Sequence, residues 1–418
     1  MKHVVKAILG SLGVSALLAP IALAHPSAPY STLPLERPSG VADVDSVGFA
    51  SENVEWVTVM PQHSGTSGGK LVGKRYYMTD PRGVHIYDAS DPAAPTLLGQ
   101  LPAAQIGAGA ALAQEEPDTN GKILLVNAYN PSSPGGPAAT SDLYVVDVED
   151  PAAPAIVGSV AVSDHTWTCI LDCKYAIGRT GYIVDLRDPT KPKVVGDWRE
   201  VTGVASYVHD FEEIRRGRVI ASGQPSLYMD VTNPLKPRIL TAIESKFHSL
   251  GYHGADWANA GKDPLLVMGA EVAPQGGTNA AGSDCTDENI HAVATYDARG
   301  VVKADRSGWK KGATFRKLQE WRVSGRGAYA DGNAPAHTLY CGHWFDTHPD
   351  WRAGGVLALA HYDWGTRFLD VDRKGKITEI GYFQPVRGYT ASAKWIDDEI
   401  VYVHDYVRGL EVLRFSNK

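Results

Sequence analysis

Four histidines recur at one place in a repeated pattern. His165-Thr166-Trp167, His209-Asp210-Phe211, His253-Gly254-Ala255 and His343-Trp344-Phe345 each open a strand-like stretch. His165 and His209 are 44 residues apart, and so are His209 and His253. The interval to His343 is 90 residues, the excess coming from long insertions. Neutral imidazole is the commonest metal ligand in proteins, and carboxylates beside it orient the ring. Asp164, Asp210, Asp256 and Asp346 stand close enough in sequence to do so. A histidine-only set suits Zn, Cu or Fe(II) better than Ca or Mg. The same rings would equally serve contact with a metal-free ligand or acid–base catalysis. The plain structural alternative is that each ring hydrogen-bonds a neighbouring repeat.

The elements that must position these rings are legible from a second repetition. Ile86-Tyr87-Asp88-Ala89-Ser90-Asp91-Pro92 returns as Val145-Val146-Asp147-Val148-Glu149-Asp150-Pro151 and Ile183-Val184-Asp185-Leu186-Arg187-Asp188-Pro189. A fourth copy is Tyr228-Met229-Asp230-Val231-Thr232-Asn233-Pro234. A second proline follows three residues later in each, at Pro95, Pro154, Pro192 and Pro237. β-Branched and aromatic residues favour the pleated strand. Asp-Pro and Asn-Pro start a turn, because proline fixes φ and the side-chain oxygen bonds the local backbone. Degenerate copies at Thr295-Tyr296-Asp297-Ala298, Phe368-Leu369-Asp370-Val371 and Gly409-Leu410-Glu411-Val412-Leu413 bring the count to seven.

Seven copies between about residues 47 and 418 give a spacing typical of four-stranded propeller blades. The predicted fold is therefore all-β: a seven-bladed β-propeller in residues 47–418. Val54–Met60 has no blade of its own and is expected to complete the C-terminal blade, closing the ring; an extra edge strand on the first blade is the alternative. The repeated phrase resembles the LVIVD-repeat family of secreted bacterial proteins, seen most plainly in Tyr182-Ile183-Val184-Asp185. The resemblance implies the propeller fold and carries almost no chemistry.

Innermost strands of a propeller all run the same way about the axis. The four histidines at their starts are thus expected on one rim of an axial funnel, with Thr66, Gln114 and Ala391 near the equivalent places in the other blades. Asp210 and Glu213 are further funnel candidates for binding. Glu115-Glu116 and Glu212-Glu213 offer acid–base carboxylates there, although paired acids ordinarily sit on a solvated surface. The longest loops on the same face are 130–141 and 273–290, and long loops on a rigid scaffold commonly carry binding. His248 and His348, each five residues from a rim histidine, are weaker candidates, as are His25, Arg326, Arg387 and Tyr389.

Residues 1–24 read as a signal peptide: Lys2 and Lys6, an apolar run from Ala7 to Leu23, and the small-x-small site Ala22-Leu23-Ala24. Residues 25–46, with Pro26, Pro29, Pro34 and Pro38, read as a flexible N-terminal arm. The expected location is secreted or periplasmic, with no membrane span in the mature chain. Export permits disulfides, and the four cysteines suit the pairs Cys169–Cys173 and Cys285–Cys341, a cysteine metal site being the rival. The net charge of −7, with no basic block, speaks against nucleic acid as a partner. Two functions follow as expectations. One is an extracytoplasmic scaffold that binds a small molecule or a protein at the funnel. The other is a metal-dependent oxidoreductase or lyase built on His165, His209, His253 and His343.

Overall fold

The structure, a computed structural model, describes residues 48–417 except 107–110, 113–114, 130–141, 163, 206, 244–250, 272–290, 310–311, 324–340, 363 and 386–387. The predicted signal peptide and arm, the two long loops, His248, Arg326 and Arg387 lie outside the described residues.

Seven antiparallel sheets follow one another along the chain. Their innermost strands are Gly68–Val72, Asp118–Thr119, Trp167–Ile170, Tyr207–Arg215, Gly254–Asp256, Phe345–Thr347 and Thr390–Trp395, for blades 1 to 7. Each innermost strand touches the next, and blade 7 touches blade 1, so the ring closes as a seven-bladed propeller. Val54–Met60 pairs with Gly409–Phe415 as the outer strand of blade 7, as the sequence predicts. A further N-terminal strand, Gly48–Ala50, adds a fifth strand to blade 6 by pairing with Ile377–Pro385.

The repeated strand explains the stacking. Both faces of a blade are covered, so adjacent apolar residues can both be buried. Ile183 packs with Val219 and Leu227 of blade 4, whereas Val184 packs with Leu125 and Val145 of blade 2. Full burial of such a side chain contributes ~2 kcal/mol. The polar part of the phrase forms two successive side-chain turns. Asp88, Asp147, Asp185 and Asp230 each accept a bond from the backbone N–H two residues on, at 2.8–3.1 Å. Asp91, Asp150, Asp188 and Asn233 repeat this one turn later. The glycine after the turn has a cross-blade reason. A Cβ at Gly99 would lie 2.2 Å from the Pro151 carbonyl oxygen, and one at Gly158 would lie 2.3 Å from that of Pro189. Each glycine thus lets the next blade's turn close in. In blade 5 the proline pair is absent, and the helix Arg299–Arg306 takes the place of the turn.

Cys169 and Cys173 are disulfide-bonded across a turn in which Leu171, Asp172 and Cys173 all have positive φ. Cys341 is also disulfide-bonded, while Cys285 lies outside the described residues. No helix among the described residues is long and apolar enough to cross a membrane.

Candidate metal centre on the propeller axis

The starts of the innermost strands converge on one rim, and four imidazoles follow from blade to blade. Ring centroids are 5.0 Å apart for His165 and His209, 3.7 Å for His209 and His253, and 4.5 Å for His253 and His343. Backbone bonds hold two of these starts in place. His253 N–H donates to the Gly269 carbonyl (2.9 Å) and His343 N–H to that of Ala360 (3.0 Å). His209, His253 and His343 are buried, and the His165 side chain keeps 16% of its surface.

Two buried carboxylates complete the cluster. Glu115, just before the innermost strand of blade 2, places Oε1 2.7 Å from His165 Nε2. Its Oε2 faces the Nε2 atoms of His253 (3.4 Å), His343 (3.7 Å) and His209 (3.8 Å). Trp344 Nε1–H donates to the same oxygen at 3.1 Å. Glu271, beyond the strand Leu265–Gly269 of blade 5, lies 3.5 Å from His253 Nε2 and 3.9 Å from His343 Nε2. The Tyr362 hydroxyl donates to it.

The electrostatics fit a cation. Burial, and then the neighbouring His253, hold His209 well below the ordinary histidine range; burial also lowers His253. The lowering favours the neutral ring, which has a lone pair to offer. Neither ring nitrogen of His209 has a hydrogen-bond partner among the described residues, nor has His253 Nδ1, while His253 Nε2 stands 3.4 Å from Glu115. His343 Nδ1–H donates to the Ala391 carbonyl, which turns the Nε2 lone pair toward the carboxylates. Burial, and then the charge of Glu115, push Glu271 well above the usual carboxylate range. A buried ionised carboxylate among such rings is costly unless a positive charge joins it. The ligand atoms form three trios within 4.8 Å: Glu115/His165/His209, Glu115/His253/His343 and His209/His253/Glu271. Imidazole with carboxylate is the donor set of Zn, Cu and Fe. A cavity of about 10 Å³, bounded by Tyr207, His209, Gly251, Tyr252, His253 and Glu271, has room for one water or ion.

The remaining candidates are placed elsewhere. Asp210 is buried one layer below the rings, beside Glu116 and Glu212; burial and then the charge of Glu116 push its carboxyl well above the ordinary range. Two lysines occupy this layer, Lys394 paired with Glu116 and Lys70 with Asp118. Glu213 leaves the funnel. Its carboxylate accepts bonds from Leu171 N–H (3.0 Å) and Gly217 N–H (2.7 Å), tying blade 4 to the disulfide turn of blade 3. Asp164, Asp256 and Asp346 accept backbone bonds from Thr180, Thr347 and Trp395, bracing strands rather than orienting rings. His348 bonds the Asp398 carbonyl and the Asp350 N–H, also away from the rings.

Sequence reasoning named Glu115 only as one of a pair of funnel acids and passed over Glu271. Glu115 sits one residue from Gln114, the expected rim position of blade 2, and its acidic neighbour Glu116 made the pair look like surface. Glu271 belongs to no repeated phrase, so no periodic signal marks it. A second buried group was also missed. His63 Nδ1 is 2.7 Å from Asp80 Oδ2 and His85 Nε2 is 3.1 Å from Asp80 Oδ1, while His63 Nε2 meets the Tyr87 hydroxyl.

Comparison with known proteins adds the fold's kinship. The LVIVD repeat matches residues 138–162, the blade 2 copy of the phrase. A search of the curated proteins found no match. Among solved structures, the chain is similar to the WD40 β-propeller domain of Doa1, with TM-score 0.51 and 8% identity over 88% of this chain and 98% of that one. At that identity the likeness concerns the fold alone.

Proposed function

For this LVIVD-repeat β-propeller, we propose an extracytoplasmic metal-binding role, with a Zn, Cu or Fe(II) ion held on the axis by one of the trios that His165, His209, His253, His343, Glu115 and Glu271 form. The observation that carries the reading is the stacked pair His209 and His253. Three of their four buried ring nitrogens have no hydrogen-bond partner among the described residues, and the rings stand against two buried carboxylates. Hydrogen-bonded burial would account for such rings in a core, and three of these four nitrogens lack it. The cavity at the rings suits an ion better than an organic ligand. Propeller and repeat together fit a binding or scaffold role. Export is supported by the Cys169–Cys173 disulfide and the signal-like start of the chain.

Elemental analysis of the purified protein tests the reading. Near-stoichiometric transition metal, lost in the His209→Ala/His253→Ala variant, is the expected outcome. A metal-free protein that takes up none of the three ions on dialysis overturns it. A metal-dependent oxidoreductase or lyase is the second reading, favoured by His165, whose partial exposure leaves the centre one wetted edge. Its measure is turnover of small substrates by metal-loaded against chelator-stripped protein.

A further inference from the structure

In blade 5 the double turn of the repeated phrase gives way to the helix Arg299–Arg306, and Gly300 stands where Asp91, Asp150 and Asp188 stand in other blades. Arg299, Lys303 and Arg306 follow at positions i, i+4 and i+7, which share one helix face. Together with Lys262, Pro264 and Val302 they line a cleft of about 430 Å³. That volume is within the range of small-ligand pockets. The innermost strand of blade 5 begins at the histidine rim. The cleft lies beyond the far ends of the blade's first and third strands, on the opposite face of the ring. Backbone bonds fix both walls. Ala298 N–H donates to the Pro264 carbonyl (2.8 Å), and Lys262 N–H to that of Asn259 (3.2 Å).

The acids nearby are committed elsewhere. Asp305 is taken by Arg215, by Arg218 (3.1 Å) and by the Tyr228 hydroxyl (2.8 Å). Asp263 accepts bonds from the N–H groups of Leu265 (3.0 Å) and Ala353 (2.8 Å). Asp297 pairs with Arg299 (3.2 Å) but is shared with Arg316 (3.0 Å). Among the described residues no carboxylate oxygen lies within 4.0 Å of the charged nitrogens of Lys262, Lys303 or Arg306. The helix dipole favours Lys303 and Arg306 in the last turn, but it disfavours Arg299 in the first, and Lys262 belongs to another segment. Like charges four residues apart weaken a helix, and the chain as a whole is acidic, at −7. A local excess of cations around a cleft therefore calls for an anion. We infer that this cleft binds a small multivalent oxyanion, with two guanidinium forks and two ammonium groups meeting phosphoryl or carboxylate oxygens. The site is separate from the axis and does not rest on the metal reading.

Isothermal titration calorimetry of the purified protein with tripolyphosphate, and separately with citrate, tests the cleft. Saturable binding of at least one probe, weakened by added salt, is the expected result. Lys303→Glu/Arg306→Glu on the helix and Lys262→Glu on the other wall change exposed residues, and each should weaken binding by about tenfold or more. Lys122→Glu, at an exposed lysine of blade 2, should leave it unchanged. Tighter binding of tripolyphosphate would assign phosphoryl groups to the ligand, and tighter binding of citrate would assign carboxylates. Both probes also chelate metals, so the His209→Ala/His253→Ala variant is titrated beside the wild type, and equal binding is expected. No binding of either probe, an equal loss from Lys122→Glu, or binding that vanishes in the axial variant overturns the assignment.

Discussion

Among the described residues two buried histidine–carboxylate groups stand out, and they differ in one respect. On the axis, His209 and His253 keep ring nitrogens without hydrogen-bond partners among the described residues. In blade 1, His63 spends one nitrogen on Asp80 and the other on Tyr87, and Asp80 takes His63 on one oxygen and His85 and the Arg82 N–H on the other. Composition and burial are alike; hydrogen-bond satisfaction is not. His63 lies on the short turn Pro61–His63 after the closing strand, so its bond to Asp80 fastens the start of the chain's ring closure to blade 1. The blade 1 group is thus satisfied within the protein, whereas the axial rings keep nitrogens for the proposed ion to engage. Residue type identifies neither case; the account of donors and acceptors does.

The sharpest way to break this comparison is metal content. His209→Ala/His253→Ala should lower bound transition metal at least tenfold, while Asp80→Asn should leave it unchanged, both read by elemental analysis. Equal losses would erase the distinction. Stability should respond the opposite way. Asp80→Ala leaves two buried rings facing an empty place and should cost about 3 kcal/mol, seen as a fall in the denaturation midpoint. Chelation should lower the thermal midpoint of the wild type by several degrees and that of the axial double variant by none, since only a bound ion stabilises by mass action.

The smallest effect expected is in pH. Burial raises Asp80, but the bonds from His63 and His85 outweigh it and hold the carboxyl well below the ordinary range. Its contribution is therefore present above the unfolded value of about 4 and is lost as pH falls toward the folded one. One layer below the axial rings the sign reverses. Burial pushes Glu212 up to about 7 against the pull of Lys70, and Asp346 up to about 7 against that of Lys394. Their folded forms keep protons that the unfolded chain has released, so each costs stability as pH rises from about 4.5 to 7. Glu212→Gln should flatten that decline in unfolding midpoints measured between pH 5 and pH 8.

Much of this was legible beforehand because repetition carries it. The strand phrase with its Asp and Pro positions implies blades, and seven copies imply a ring whose innermost strands share one direction. The equal spacing of His165, His209 and His253 then implies a common rim. Glu213 shows the limit of such reasoning. It lies four residues from His209 on the same strand, yet a register shift between Glu213 and Arg215 accompanies a carboxylate turned to the backbone of the preceding blade.

By itself the amino-acid order determined the strand phrase, its double turn, the number of blades and the rim on which the histidines gather. These depend on local propensity and on period, which neighbouring residues encode. Only the tertiary structure decided that Glu115 and Glu271 face the rings, that Glu213 does not, and that His63, Asp80 and His85 meet. Those meetings join residues from 5 to more than 200 positions apart. They depend on how blades are rotated about the axis and on which polar atoms remain unsatisfied once water is excluded, a balance that no short stretch of sequence contains.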